Sequence, residues 1–360
     1  MKSRSITLAL VLLLITSMLL VGCGASGATT ATATATTAAA SSAETKAESQ
    51  PASTEKIVFK VSHNFTPLQP LHLALEQVAK NVATRTNGQI ELQLYANAEI
   101  ANGLDGVEQC IRGANFINVY DPSCLASWVP DYNALIGPML YANTAEFSKM
   151  AQTDFAKSLN AQAEAAGVKI LALDYTFGMR NIASNKKPIQ SIDDLKGLKI
   201  RVPKSQLWID TFTALGASPA AMSWSEIYNA METGVVDAFE SSVSDMYDSQ
   251  MTEVIKYMAN TGHFIGTAAV MTSKEAFDKL TDEQRQIIEE EFAAGAVLNN
   301  QLSTEAENGA VAKMEAEGVV FNDVDLTPFR EKAKAVFDNN KTLSPGVYDK
   351  IQEELVKIRG

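Results

Sequence analysis

The chain has 360 residues, 46% hydrophobic and 20% charged, and a formal net charge of −12 at pH 7. Its 42 Asp and Glu against 30 Lys and Arg give a surface that repels phosphate backbones and anionic headgroups. That argues against nucleic-acid binding and against docking on an anionic membrane surface. The only charges in residues 1–22 are Lys2 and Arg4, so removing that segment takes the charge to −14.

Lys2 and Arg4 open a short basic stretch, and Ile6 to Val21 carry no charge. Leu20-Val21-Gly22-Cys23 follows. A basic start, a short apolar core, a small residue and a cysteine make a bacterial lipoprotein signal. The core is shorter than the roughly 20 apolar residues of a spanning helix. We expect cleavage before Cys23 and acylation of its thiol, with more than one acyl chain giving stable anchoring. Gly22 to Gly27 also satisfies the dinucleotide pattern GxGxxG. No strand precedes it and no helical pattern follows it, so the match carries no weight. From Gly24 to Glu55 the chain is mostly Ala, Thr and Ser, without aromatic or large aliphatic side chains. Such a segment cannot bury enough apolar surface to offset its ordering entropy, and it reads as a tether.

About 305 residues remain beyond it, more than one core usually serves, so two domains are expected. Ile57, Phe59 and Val61 alternate as a strand, and Leu71 to Thr86 reads as an amphipathic helix. Ile90, Leu92 and Leu94 alternate again; Leu104 to Ile111 is a short helix before the strand Phe116 to Val119. One long helical stretch, Thr144 to Ala166, leads to the strand Val168 to Leu173. Beyond Gly197 come the apolar strand around Arg201, a helix ending at Leu215 and a helix opened by Ser223. Ser223-Trp224-Ser225-Glu226 is a capping box that puts Trp224 in the first turn. Val235 to Phe239 is the next strand, Val270 and Met271 end another, and Thr281 caps a helix running to about Ala306. This order predicts an α/β fold with mainly parallel sheets, which bind ligands at the carboxyl ends of their strands. Cys110 and Cys124 are either a disulfide or two buried thiols.

No catalytic motif emerges. The three histidines, His63, His72 and His263, are far apart, and HExxH, GxSxG, a Walker loop and metal-ligand spacing are all missing. Ser184 to Lys187 matches SxxK without its companion motifs. The expectation is a non-enzymatic protein without cofactor or metal. Arg201 stands out instead, placed between Ile200 and Val202 in an apolar run ended by Pro203. A buried arginine needs a partner. No nearby acid faces it, so the partner is a distant carboxylate or a bound anion, which an arginine fork can grip with two hydrogen bonds.

Gly178-Met179-Arg180-Asn181, Asp194 through Pro203, Gly216-Ala217-Ser218-Pro219, and Trp224 through Asp237 resemble the solute-binding proteins of TRAP (tripartite ATP-independent periplasmic) transporters. The resemblance covers nearly all of Ile57 to Gly360, and the order and spacing of the motifs carry it. It implies a two-lobed periplasmic-binding-protein fold of the Venus-flytrap kind, with crossing strands and a lobe-spanning helix. Residues 56–177 with about 267–306 would form one lobe, and 178–266 with about 307–360 the other. It implies a small organic acid as ligand, a TRAP permease driven by an ion gradient as partner, and a monomer, which the signal at Cys23 would anchor by lipid outside the cytoplasm.

By the same resemblance Arg201 pairs with the ligand carboxylate and Arg180 is a second cleft arginine, or else one half of a structural ion pair between the lobes. Trp224 packs on the ligand, or lies in the core. Asp121 contacts polar ligand groups, or merely starts a turn; His63 offers a polar contact after the first strand. Ser241 stands where many members carry Asn, and Lys204 meets a second anionic group or is a solvated loop lysine. An ABC permease, a sensor role and a surface enzyme are the competing readings.

Overall fold

Two strands of 17 residues form the middle of the sheet, and the other strands attach to their two ends. The computed structural model describes residues 56–360, so the signal segment, Cys23 and the tether lie outside the described residues. In chain order the strands are β1 (Ile57–His63), β2 (Ile90–Tyr95), β3 (Phe116–Tyr120), β4 (Val168–Ser184), β5 (Lys199–Val202), β6 (Ser218–Ala221), β7 (Ala238–Ser241), β8 (Tyr257–Ser273) and β9 (Val320–Asp323). Their order across the sheet is β2-β1-β3-β8-β4-β7-β5-β6, with β9 added to β8.

β4 and β8 pair antiparallel from Val168↔Ser273 to Ser184↔Tyr257. The last residues of β8, Ala269 to Thr272, also pair with β3. The last residues of β4, Asn181 to Ser184, pair with β7. One continuous ladder therefore carries a parallel set at each end, β2-β1-β3 and β7-β5-β6. The expected mainly parallel sheet is corrected to a mixed one, because the long pair is antiparallel to both flanking strands as well as to itself.

Local pattern explains the elements. In β1, Phe59 and Val61 are buried while Lys60 is exposed. The helix Pro70–Arg85 begins on proline and turns Leu71, Leu75, Val78 and Val82 inward at helical spacing. β5 differs: Ile200, Arg201 and Val202 are all buried, as in a strand covered on both faces.

The helix Asp282–Ala316 is 35 residues long, ten residues beyond the expected end near Ala306. Its Ile288, Phe292 and Ala296 pack with Phe59, Leu75 and Val78. Its Ala310 and Met314 pack with Ile227, Phe239 and Met246. Conversely, the expected single helix Thr144 to Ala166 is two, Thr144–Met150 and Asp154–Ala165. Thr153 caps the second, accepting from the Ala156 amide at 3.3 Å. The strand expected over Val235 to Phe239 occupies Ala238–Ser241. The C-terminal helix Val347–Arg359 contacts the helices Tyr132–Leu135 and Thr144–Met150. Both cysteines are free thiols, Cys110 against the carbonyls of Phe116 and Met271 and Cys124 against the Met271 sulfur.

Gly178 faces Gly266 midway along the long ladder. Its φ is +108°, and a Cβ there would fall 2.6 Å from Glu307 Oε1 of the long helix. Gly309, in contrast, sits inside that helix, where a Cβ meets only Lys313 at 4.0 Å. Gly178→Ala is expected to lower stability by about 1–3 kcal/mol, and Gly309→Ala to raise it by about 0.5–1 kcal/mol. Thermal unfolding of both variants checks the opposite signs.

Candidate functional site

A cleft of about 1420 Å³ opens between residues 97–133 on one side and 203–225 on the other, with 335–342 at its edge. This exceeds the roughly 300–1,000 Å³ of a typical small-molecule pocket, leaving room that closure around a ligand would remove. Among the residues singled out from sequence, Asp121, Lys204 and Trp224 line it.

Arg201 lies directly behind that lining. It is 3% exposed. Its Nε and Nη2 donate to the Met222 carbonyl at 3.0 and 2.8 Å. The guanidinium stands 5.6 Å from the centre of the Trp224 ring, and Trp224 in turn meets Phe239 edge-on at 6.1 Å. Among the described residues no carboxylate lies within ion-pair distance of Arg201. Burial pulls its pKa down to about 10, with Glu240 opposing, so it stays charged at neutral pH. A buried cation whose protein contact is one carbonyl dipole is poised for an anion.

Arg180 is bound differently. Its Nε donates to Glu240 Oε2 at 2.6 Å, and its Nη2 donates to Glu240 Oε1 at 2.7 Å and to the Glu240 carbonyl at 3.0 Å. This is an ion pair, but not one between the expected lobes: both partners lie in the neighbouring strands β4 and β7, within residues 178–266. Burial alone would raise the Glu240 pKa, yet Arg180 and His263 hold it down at about 2. His263 is fully buried between Thr261 and Glu240, at 2.8 and 3.2 Å.

Besides Arg201 and Arg180, two further expected contacts are absent from the cleft lining. His63 is fully buried; its Nδ1 accepts from the Phe65 amide at 3.2 Å, so Nε2 carries the proton and donates to His72 Nδ1 at 3.0 Å. The neighbouring Asn64 lines the cleft instead. Ser241 is also buried, and its hydroxyl donates to Asp245. Asp245 accepts a second bond from Gln69, across from the helix Pro70–Arg85. Asp121 accepts from the Ser123 amide at 2.8 Å, and burial pushes its carboxyl up to about 6. Trp224 opens the capped turn read from sequence: the Ser223 amide donates to Glu226 Oε2 at 2.7 Å. Lys204 Nζ lies 4.0 Å from the same Glu226 oxygen.

Sequence reasoning missed Glu240, Asp245, Gln69 and the amide-rich wall of Asn97, Asn102 and Asn133. Glu240 had a readable signal, since a charge inside the short strand Ala238–Ser241 poses the same question as Arg201. Among the described residues no group of three His, Cys, Asp or Glu side chains could hold a metal ion, and no helix is long and apolar enough to cross a membrane.

Glu240→Gln removes the carboxylate from a buried pair and leaves Arg180 uncompensated, an expected loss of about 3–5 kcal/mol. The wild-type carboxyl is depressed from 4.5 to about 2. Its stabilisation is therefore complete above pH 4.5 and lost as pH falls towards 2. Unfolding curves of wild type and variant should differ most near neutrality and converge below pH 4.5.

Residues 61–342 match the family described as bacterial extracellular solute-binding protein, family 7. A TRAP periplasmic solute-binding protein from Fusobacterium nucleatum with bound sn-glycerol-3-phosphate is 40% identical, with a TM-score of 0.82 over 84% of this chain and 98% of that one. A second, from Desulfovibrio salexigens in complex with diglycerolphosphate, is 39% identical, with a TM-score of 0.82 and the same coverage. A third, from Ochrobacterium anthropi with bound L-fuconate, is 32% identical, with a TM-score of 0.79 over 83% of this chain and 99% of that one.

Proposed function

Because the chain belongs to bacterial extracellular solute-binding protein family 7, we propose that it captures a small organic acid in its cleft and delivers it to a TRAP permease. The observation that carries this reading is Arg201, a guanidinium 3% exposed behind the cleft wall, whose hydrogen-bonding partner is a carbonyl and not a carboxylate. An incoming anion supplies the missing charge. Trp224 packs on the ligand, Asp121 meets its polar groups, and Lys204 adds a cation at the lining. Arg180 acts as a positioning residue through Glu240, and His63 and Ser241 support the wall from behind.

The lobes in this reading are 56–177 with about 267–306, and 178–266 with about 307–360, the helix Val347–Arg359 packing back across the division. Ligand stabilises the closed arrangement by the difference in its affinity for closed and open forms. No covalent bond is made or broken, and no cofactor takes part. The protein acts as a monomer outside the cytoplasm, held by acyl chains on Cys23 and spaced from the membrane by residues 24–55.

A thermal-shift screen of the full chain in detergent, against carboxylates, phosphate esters, sugars and amino acids, tests the capture step. Ligand at 100 times its Kd adds about 2.7 kcal/mol, a shift of several degrees. An anion should produce that shift, and Arg201→Ala should abolish it. A shift with neutral sugars alone, or one that survives Arg201→Ala, would defeat the reading. Anchoring is tested separately: Cys23→Ser should lose incorporation of labelled palmitate, and retained label would place the acyl chain elsewhere.

A further inference from the structure

The two walls of the cleft differ in charge. Residues 97–133 line it without a lysine or arginine, presenting Asn97, Asn102 and Asn133 together with Asp105 and Asp121. On the facing wall Lys204 lines the space together with one acid, Asp210, and Arg201 stands behind Trp224. Lys204 follows Arg201 by three residues, just past the end of β5, and the pKa of the nearby Glu226 is lowered by its Ser223 hydrogen bonds and by both cations. Glu226 is not a strong partner for either. It is tied back to the Ser223 amide at 2.7 Å, and Lys204 reaches it only at 4.0 Å with its own side chain 64% exposed. The remaining lining lysine, Lys341, belongs to the 335–342 edge.

A ligand matching this distribution has its negative charge at one end and hydroxyl groups at the other. A dicarboxylate would set its second carboxylate against the wall that holds Asp105 and Asp121, where like charge repels it. A monocarboxylate brings one charge to two cations. A phosphate monoester carries about −1.5 to −2 charges on one head, with three acceptor oxygens, and so can engage Arg201 and Lys204 together. Amide and carboxyl side chains on the opposite wall offer both donors and acceptors to hydroxyls.

We propose that the cleft selects hydroxylated phosphate esters of the glycerol 3-phosphate kind over carboxylates, with Lys204 setting the preference. The proposal rests on the capture of an anion at Arg201. The related structures at 40% and 39% identity that hold glycerol phosphates agree with it.

Isothermal titration of the full chain in detergent with sn-glycerol 3-phosphate, glycerate and succinate tests it. The phosphate ester should bind at least about tenfold tighter than glycerate, the value of one charge-assisted hydrogen bond. Lys204→Gln should weaken the phosphate by about tenfold and glycerate by only about twofold, and Lys204→Arg should restore the preference. Equal or tighter binding of glycerate or succinate overturns the proposal, as does a Lys204→Gln variant that weakens both ligands in the same proportion. If the tighter carboxylate binding is lost in Arg201→Ala, only the phosphate assignment falls. If the folded chain binds none of the three anions, capture at Arg201 falls with it.

Discussion

The antiparallel pairing of β4 with β8 is the constraint on which the rest of the molecule depends. Each strand is long enough to leave one ladder and enter another, so both parallel sets are built onto the same pair. Close approach at Gly178 and Gly266 keeps the crossing tight against Glu307 of the long helix. That helix places one end in the cluster of Phe59 and Val78 and the other in the cluster of Phe239 and Met246. A cleft between the segments carried by the two ends follows from this connectivity, since each set of loops is fixed to its own end of a common ladder.

Charge is distributed over this frame unevenly. Arg180 and Arg201 are both buried, yet the sheet gives only one of them a carboxylate. Glu240 comes from β7, directly beside β4, so its bond to Arg180 belongs to the framework, and His263 from β8 braces the same carboxylate. Arg201 comes from β5, beyond β7, and meets the Met222 carbonyl at the end of β6. Placing a guanidinium without a carboxylate in ion-pair reach in a low-dielectric wall costs stability, a cost that an anion bound as proposed would offset. In the proposed function, the same arrangement that weakens the empty protein strengthens the hold on its ligand.

The buried polar groups behind the cleft join elements that are distant in sequence. Gln69, ahead of the helix Pro70–Arg85, bonds to Asp245, which also receives the Ser241 hydroxyl. His63 and His72 close a similar contact between β1 and the same helix. Such bonds fix the orientation of the segment that presents Asn64 to the cleft, because a buried polar group left unpaired is expensive.

Much of this was legible in the sequence where the signal is local. The strand pattern of Phe59 and Val61, the caps at Ser223 and Thr281, and an arginine set inside an apolar strand are all properties of a few neighbouring residues. Arg201 in its apolar strand and the run of motifs from Gly178 to Asp237 pointed to an anion-binding, two-lobed protein. Partner choice was not legible. Nothing near Arg180 names Glu240, 60 residues away, and nothing near His63 shows that its ring would turn from the cleft towards His72. Periodicity also ran the helices together across Thr153 and stopped the long one at Ala306, because packing against two separate cores decides where that helix ends. The sequence by itself determined which residues are chemically out of place and hence need a partner. Only the tertiary structure decided which partner each one has, because the ladder of β4 and β8 brings together groups that no local rule relates.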